Sequence, residues 1–155
     1  MIRKKLLLVC PIRFYYYSDF LKISFQKLGY DVRLANEEYP YGHFYSALAK
    51  LFSAFNLNIF SISTRIYFSK YLLSGNHYDL IIIIKGRGIS KKLIKLMKKH
   101  SNRIIGYNFD SFDFNKNSMR WFKHVDNFYT FDFRDSKNYK IPMIHLFSSV
   151  KTKKN

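Results

Sequence analysis

The sequence contains a single cysteine, Cys10, among its 155 residues. One thiol cannot form a disulfide within the chain, so the core has to stabilise the fold without covalent cross-links. The absence of disulfides is typical of proteins in a reducing compartment, and we therefore expect a cytoplasmic protein.

Long apolar segments are also missing. No uncharged stretch approaches the roughly 20 residues that a membrane-spanning helix requires. The N-terminus places basic residues ahead of apolar ones, as a signal peptide does. Its apolar run, Leu6–Cys10, is shorter than the roughly 7–15 apolar residues of a secretory signal. We therefore expect neither a spanning helix nor a cleaved leader.

Acidic residues are scarce, because 10 Asp and Glu stand against 27 Lys and Arg, which gives a net charge of +17. Such a charge favours anionic partners, namely nucleic acid, an anionic membrane surface or phosphorylated substrates. Compositional bias is a second explanation, since Lys, Asn, Ile, Phe and Tyr are abundant here and all have AT-rich codons. The charge alone therefore does not select a function.

Residues that build a core are abundant, with 48% hydrophobic and 19% aromatic residues. This content indicates a folded chain, and the length is typical of one domain. Short apolar runs predict strands, several of them without the polar alternation of a solvent-facing sheet. The predicted strands are Lys4–Cys10, Asp31–Ala35, Asp79–Ile84, Arg103–Tyr107, Asn127–Phe131 and Met143–Leu146.

Helical spacing of apolar residues is found between these runs. The predicted helices are Ser18–Leu28, two helices within Phe44–Leu73, Ser90–His100, a short one within 108–123, and Asp132–Tyr139. Ser18 is the expected N-cap of the first helix, and Gly29 ends it. Ile62, Ile66 and Leu73 are expected on the apolar face of the helix that precedes Gly75, with Tyr67 and Tyr71 near that face.

Strands that alternate with helices predict an α/β fold, a Rossmann-like three-layer domain with a mostly parallel sheet of about five or six strands. We assign residues 1–147 to this single domain and residues 148–155 to a polar, basic tail. In such sheets, ligands bind beyond the carboxyl ends of the strands, close to a switch in strand order. Residues that directly follow the predicted strands are therefore the candidates for a binding site.

The candidate substrate-binding residues are Arg13, Lys85, Gly86, Arg87, Gly88, Asp110, Ser111 and Asp132. The run from Lys85 to Gly88, followed by Ser90, resembles a phosphate-binding loop, in which glycines admit the ligand and helix N–H groups favour anions. It matches neither the GxxxxGK[ST] nor the GxGxxG pattern. The alternative is a tight turn in which Ser90 only caps the next helix.

Asp110 has three interpretations: a general base, a ligand for a sugar hydroxyl, or a helix cap. No His or Cys stands at metal-ligand spacing, and neither a GxSxG motif nor a Ser-His-Asp order is present. We therefore predict no metal and no cofactor, and we assign no catalytic residue.

Aromatic residues interleaved with basic ones, at 14–17 and 44–71, also leave three interpretations open. They suit base stacking in single-stranded nucleic acid, contact with an anionic membrane, or an ordinary aromatic core. No RNP1 sequence or zinc-finger spacing supports nucleic-acid binding, which we consider less favoured.

Four segments in order, YDLIIIIKGRGIS, IIGYNFDS, FYTFDFRDSKNY and IHLF, resemble the N-terminal domain of bacterial glycosyltransferases of the GT-B type. Within that type, they are similar to CgeB-like and lipopolysaccharide or capsule biosynthesis proteins. The matching features are strand ends at Lys85-Gly86, Asp110-Ser111 and Phe131-Asp132, followed by Asp135 and a short strand at Leu146-Phe147. The resemblance is good from Tyr78 to Phe147 and extends to the preceding residues only in pattern.

The resemblance implies sugar transfer from a nucleotide-sugar to a growing surface glycan, in a cleft between two Rossmann-like domains and without an obligatory metal. In that arrangement the N-terminal domain holds chiefly the acceptor, and a second domain, absent from this sequence, holds the donor. We therefore expect an acceptor-side domain that is inactive alone, with a second GT-B half and a lipid-linked or glycan acceptor as partners. Such acceptors would bring it to the inner face of the cytoplasmic membrane. The alternative is a basic protein without catalysis that binds nucleic acid or a membrane surface.

Overall fold

The structure is a computed structural model that describes residues 3–12, 17–37, 61–72 and 75–145. Its strands are β1 (Lys4–Cys10), β2 (Tyr30–Asn36), β3 (Leu80–Ile84), β4 (Ile104–Asn108) and β5 (Asn127–Thr130). Its helices are α1 (Tyr17–Lys27), α2 (Ser61–Leu72), α3 (Lys91–Lys99) and α4 (Phe133–Tyr139), with two 3-10 helices at Lys116–Arg120 and Phe122–His124.

The five described strands form one sheet in the order β2-β1-β3-β4-β5, and every pair is parallel. Leu6 of β1, for example, is in register with Val32 of β2 on one side and with Leu80 of β3 on the other. The order 2-1-3-4-5 is one of the two common doubly wound arrangements, and its switch point lies between β1 and β3. The predicted α/β, Rossmann-like three-layer fold is confirmed.

Successive side chains of the strands enter two different cores, because the side chains of a strand alternate between the faces of the sheet. Leu7 and Val9 belong to a cluster that includes residues of α2 and α3, whereas Leu6 and Leu8 belong to a second cluster that α1 covers. All four are fully buried. A strand buried on both faces gains no stability from polar alternation, which explains the continuous apolar run from Leu6 to Cys10.

Helix α3 shows most clearly why its residues form a helix. Ser90 caps it, with its Oγ accepting the N–H of Leu93 at 3.2 Å, and His100 is the C-cap. Ile94 and Met97 are buried, as predicted, and all the lysines are exposed. The strict separation of apolar and charged residues fixes which side of the helix packs on the sheet.

Helix α2 was predicted correctly in position, but its buried face was predicted only in part. Tyr67 and Tyr71 are partly buried against the core, as predicted. Ile66 is 65% exposed, whereas Thr64, Phe68 and Leu72, spaced four residues apart, are buried against the sheet. The apolar residues of this segment lie all around the helix, so their spacing did not identify the packing face. Leu73 and the first predicted helix of this region lie outside the described residues.

Two smaller predictions were also wrong. Ser18 lies inside α1 and is buried, so it is not the N-cap of that helix. The predicted last strand is reduced, among the described residues, to an isolated bridge between Met143 and Thr130. Gly29 does end α1, with φ of +88°. The basic tail lies outside the described residues.

Among the described residues, no helix combines the length and the apolar character needed to cross a bilayer.

Candidate functional site

The chain turns sharply where β3 ends. The N–H of Gly86 donates to the carbonyl of Ile84 at 2.8 Å, so Lys85 alone forms the turn. Lys85 has φ of 69°, a left-handed conformation that is uncommon for residues other than glycine. A hydrogen bond across one residue with positive φ at its centre is the pattern of the rarer, strained γ-turn. Strained backbone of this kind clusters at functional sites.

The side chain of Lys85 forms an ion pair with Asp110, which follows β4. The Lys85 Nζ lies 3.0 Å from the Asp110 Oδ2, and the two side chains are 10% and 18% exposed. Nη2 of Arg87 lies 3.6 Å from the same oxygen. Two cations therefore share one carboxylate, in a partly buried position where charges interact more strongly than in open solvent.

Two aromatic rings border this ion pair. The ring centroid of Phe109 is 4.9 Å from the Lys85 Nζ, and that of Phe114 is 5.9 Å from the Arg87 Cζ. Both distances are within the range of a cation–π interaction. Phe114 is 75% exposed although it is a large apolar residue. The edge of the sheet thus presents charged groups together with an accessible aromatic ring.

Backbone carbonyls of the turn are held by the segment around the first 3-10 helix. The Lys85 carbonyl accepts hydrogen bonds from the Asn115 Nδ2 at 2.8 Å and the Ser118 Oγ at 2.9 Å. The Asn117 side-chain nitrogen contacts three further carbonyls, those of Gly86, Arg87 and Ile89. These contacts compensate for the strain at Lys85 by satisfying the buried polar groups of the turn.

Gly86 lies directly against Trp121, which is fully buried. The Trp121 Nε1–H donates to the Gly86 carbonyl at 3.1 Å. A Cβ atom on Gly86 would overlap the Trp121 ring and would stand 2.9 Å from a methyl of Ile83. Position 86 therefore requires a glycine because the Trp121 ring approaches it closely. The contacts at Gly86 support the interpretation as a packed turn and give no support to a phosphate-binding loop.

Gly88 and Ser90 complete this segment. The N–H of Gly88 donates to the carbonyl of Glu37 at 3.3 Å, and a Cβ at Gly88 would lie 3.2 Å from that oxygen. Ser90 caps α3, as the alternative interpretation predicted. Backbone packing thus explains the glycines, and the charged side chains of Lys85 and Arg87 are what the loop contributes to a site.

The remaining candidates have separate positions. Ser111 organises the loop after β4, because its Oγ accepts the N–H of Phe114 at 3.3 Å. Asp132 is the N-cap of α4, accepting the N–H of Asp135 at 2.9 Å. Arg13 lies outside the described residues. The structure therefore brings together Lys85, Arg87 and Asp110, and it gives Ser111 and Asp132 local structural contacts.

Asp135, which was noted in the resemblance, is also structural. Its Oδ2 accepts the N–H of Phe112 at 2.7 Å, and the residue is 6% exposed. Burial raises the pKa of Asp135, with nearby Asp132 and Asp113 acting in the same direction and the Phe112 hydrogen bond opposing it. The hydrogen bond between the Phe112 N–H and Asp135 attaches α4 to the loop that carries Phe114.

Sequence reasoning missed the residues that position the ion pair. They are Glu37, Asn115, Asn117, Ser118 and Trp121. The last four bind backbone groups 28 to 35 positions earlier in the chain. No local spacing marks such contacts, and the cluster of small polar residues after Asp110 is the only sequence pattern that could have suggested them.

Elsewhere among the described residues, the structure offers fewer groups that could bind a ligand than the carboxyl edge does. A shallow cleft of about 400 Å³ lies at the opposite, amino edge of the sheet, lined by Lys4, Tyr30, Asp79, Leu80, Asn102, Arg103 and Ile105. Within the described ranges, no three His, Cys, Asp or Glu side chains are grouped as metal ligands.

No family model, no curated protein and no solved structure matches this chain. The function of this chain is therefore inferred from the geometry of the carboxyl edge and from the resemblance carried by its motifs.

Proposed function

We propose that the chain is the acceptor-side domain of a glycosyltransferase that builds a cell-surface polysaccharide or lipopolysaccharide. Lys85, Arg87 and Asp110 bind a hydroxyl-bearing sugar of the acceptor. The observation that carries the proposal is the Asp110 carboxylate, held 3.0 Å from the Lys85 ammonium at the carboxyl edge of the sheet. In doubly wound sheets this edge is where ligands bind.

The chemistry of these groups suits a carbohydrate. A carboxylate accepts hydrogen bonds from sugar hydroxyls, and Lys and Arg donate to them. Phe114, which is 75% exposed beside Arg87, offers an apolar surface to a sugar ring. Because Asp110 offsets part of the positive charge, a neutral hydroxylated ligand fits this position better than a polyphosphate.

The position of Lys85 and Asp110 at the ends of neighbouring strands also supports the proposal. Lys85 follows β3, which borders the switch point between β1 and β3, and Asp110 follows the neighbouring β4. The strained turn at Lys85 is fixed by Asn115 and Ser118. Groups held in this way are preorganised for a ligand, so they lose little side-chain entropy on binding.

In the proposed enzyme, two domains bind different substrates. This domain holds the glycan or lipid-linked acceptor, and a second GT-B half supplies the nucleotide-sugar, which is a co-substrate. The isolated chain is then expected to bind acceptor without transferring sugar. A lipid-linked acceptor would place the domain at the inner face of the cytoplasmic membrane.

Binding of soluble oligosaccharides, short fragments of bacterial surface glycans, tests this function by NMR titration. We expect saturable shifts at the backbone amides of Lys85, Asp110 and Phe114. Asp110→Asn should weaken binding roughly 10-fold or more, as expected when a hydrogen bond to a charged group is lost. Asp113→Asn is the matched control, since it makes the same chemical change at an exposed position of the same loop.

Two results would contradict the proposal. One is the failure of every oligosaccharide in the panel to shift these amides. The other is a nucleotide-sugar that binds the isolated chain at Lys85 and Asp110, which would make this the donor side.

A further inference from the structure

One face of helix α3 consists of basic residues. Its nine residues, KKLIKLMKK, include Lys91, Lys92, Lys95, Lys98 and Lys99, all exposed, and no acidic residue. Lys91, Lys95 and Lys98 follow an i, i+4, i+7 spacing and so form one stripe along the helix. Leu93, Ile94 and Met97 are buried on the opposite side. The exposed face of α3 is therefore charged with a single sign over its whole length.

The second 3-10 helix extends this surface, because it packs beside α3 and contributes Lys123 and His124. The pKa of His124 is lowered by partial desolvation and by the charges of Lys91, Lys95 and Lys98. Among the described residues, the acid that faces this group is Asp126, whose Oδ1 accepts a hydrogen bond from Lys98 at 3.1 Å. One carboxylate offsets one of these lysines, and the surface stays positive.

The basic surface is continuous with the carboxyl edge of the sheet. Helix α3 begins directly after the loop that carries Arg87, and Arg87 contacts Phe114. Phe114 and Met119 are exposed by 75% and 41%. An exposed apolar residue thus lies beside Arg87, in the region from which α3 begins.

We propose that the lysine face of α3, with Phe114 beside the preceding loop, is the surface through which this protein contacts an anionic lipid bilayer. Clusters of four to eight basic residues on an amphipathic helix are typical of contact with anionic lipid headgroups. The charges of α3 are all lysines, and Phe114, which lies beside Arg87 in the preceding loop, offers an apolar side chain that suits the interface between headgroups and acyl chains. The described α3 face carries no aromatic ring, whereas single-stranded nucleic acid is bound by stacking on such rings.

This contact orients the carboxyl edge toward the lipid, because the start of α3 and the ion pair lie at the same end of the sheet. A domain docked in this way meets an acceptor at the membrane surface. The inference adds the surface and the lipid class to the proposed function, but its measurement does not require sugar binding.

Vesicle flotation of the full chain tests the proposal. The probes are phosphatidylcholine vesicles and vesicles that contain ~30% phosphatidylglycerol, at ~100 mM salt. We expect binding to the anionic vesicles alone. The triple variant Lys91→Gln, Lys92→Gln, Lys95→Gln should weaken it roughly 10-fold or more, since each lysine near an anionic surface contributes a several-fold increase in affinity.

The matched control replaces three exposed lysines elsewhere, Lys27→Gln, Lys137→Gln and Lys140→Gln. It lowers the net charge by the same amount, so it should reduce binding only slightly if α3 is the contact surface. Equal loss in the two variants would overturn the proposal, because binding would then follow net charge alone. Equal binding to neutral vesicles would also overturn it.

Three further measurements test this surface and separate the alternatives. The pKa of His124, followed by NMR, should rise when anionic vesicles bind, because the lipid charge offsets the lysines that lower it. If instead a DNA or RNA oligomer binds more tightly than the vesicles and the α3 triple variant abolishes that binding, the surface is a nucleic-acid site and the lipid proposal is wrong. Asp110→Asn removes a negative charge beside Arg87, so it should keep or strengthen vesicle binding while it weakens glycan binding, and the two proposals can therefore fail separately.

Discussion

The carboxylate of Glu37 accepts the backbone N–H of Arg87 at 2.7 Å, although 50 positions separate the two residues. Glu37 follows β2 and is 1% exposed. Its own N–H donates to the carbonyl of Cys10 at the end of β1, and its carbonyl accepts the N–H of Gly88. One buried residue thus connects the carboxyl ends of three strands, and it fixes the backbone from which the Arg87 side chain extends toward Asp110.

Glu37→Gln should loosen the loop after β3. A neutral amide is a weaker acceptor than a carboxylate, and removing a buried charge-assisted hydrogen bond costs about 1–3 kcal/mol. Hydrogen exchange measures this locally. The Arg87 amide should exchange faster, whereas the Lys85 amide, which donates to the Tyr107 carbonyl at 2.8 Å, serves as an internal reference. Unchanged exchange at Arg87 would show that the contact contributes little.

Gly86→Ala should destabilise the fold strongly, by roughly 3 kcal/mol or more, because it adds an atom against the Trp121 ring and also strains a residue with φ of +61°. Gly29→Ala is the matched control. Gly29 has φ of +88° but nothing within 4 Å of the added Cβ. We expect about 1 kcal/mol there, from backbone strain alone.

Urea denaturation of the two glycine variants checks this difference. Similar losses of stability in both would mean that the packing of Gly86 against Trp121 is not tight, and the explanation given for this glycine would be wrong.

The Cys10 thiol should be inert in the native protein. It is fully buried, and burial, with nearby Glu37 and Asp19, raises its pKa to about 12. The reactive thiolate is then scarce at neutral pH. A thiol reagent should label Cys10 at a rate that follows unfolding by urea, whereas denatured protein should react at once. Rapid labelling without denaturant would contradict the burial of β1.

Asp126 should make the stability of the protein depend on pH in the acid range. Although desolvation opposes the effect, the N–H of Ile104 and the charges of Lys98 and Arg103 lower the pKa of Asp126. A lowered pKa in the folded state adds stability above the pKa of the unfolded state, about 3.9, and this stability is lost as pH falls through the folded-state pKa.

The measurement is the stability of wild type and Asp126→Asn by urea denaturation from about pH 7 to about pH 2. We expect the variant to be less stable at neutral pH and the difference to disappear in acid. Asp113→Asn, which makes the same chemical change at an exposed position, is the matched control. A constant difference over the whole range would mean that the carboxylate charge is not what stabilises the amino edge.

Local patterns of the sequence determined which segments form strands and helices. The run LIIII at β3 and the amphipathic pattern of α3 express burial directly, because the period of the apolar residues matches the geometry of each element. For α2 the pattern was insufficient, since Ile66 is as apolar as the buried Phe68. Which of them is buried depends on where the sheet lies.

The sequence also identified Lys85, Arg87 and Asp110 as side chains of one edge, because parallel strands end on the same side. Tertiary structure alone decided that Asp110 lies between the two cations, that Trp121 requires the glycine at 86, and that Glu37 fixes Arg87. The physical reason is distance along the chain. Each of these contacts joins segments separated by 23 to 50 positions, and only the packing of strands in the order 2-1-3-4-5 brings them together.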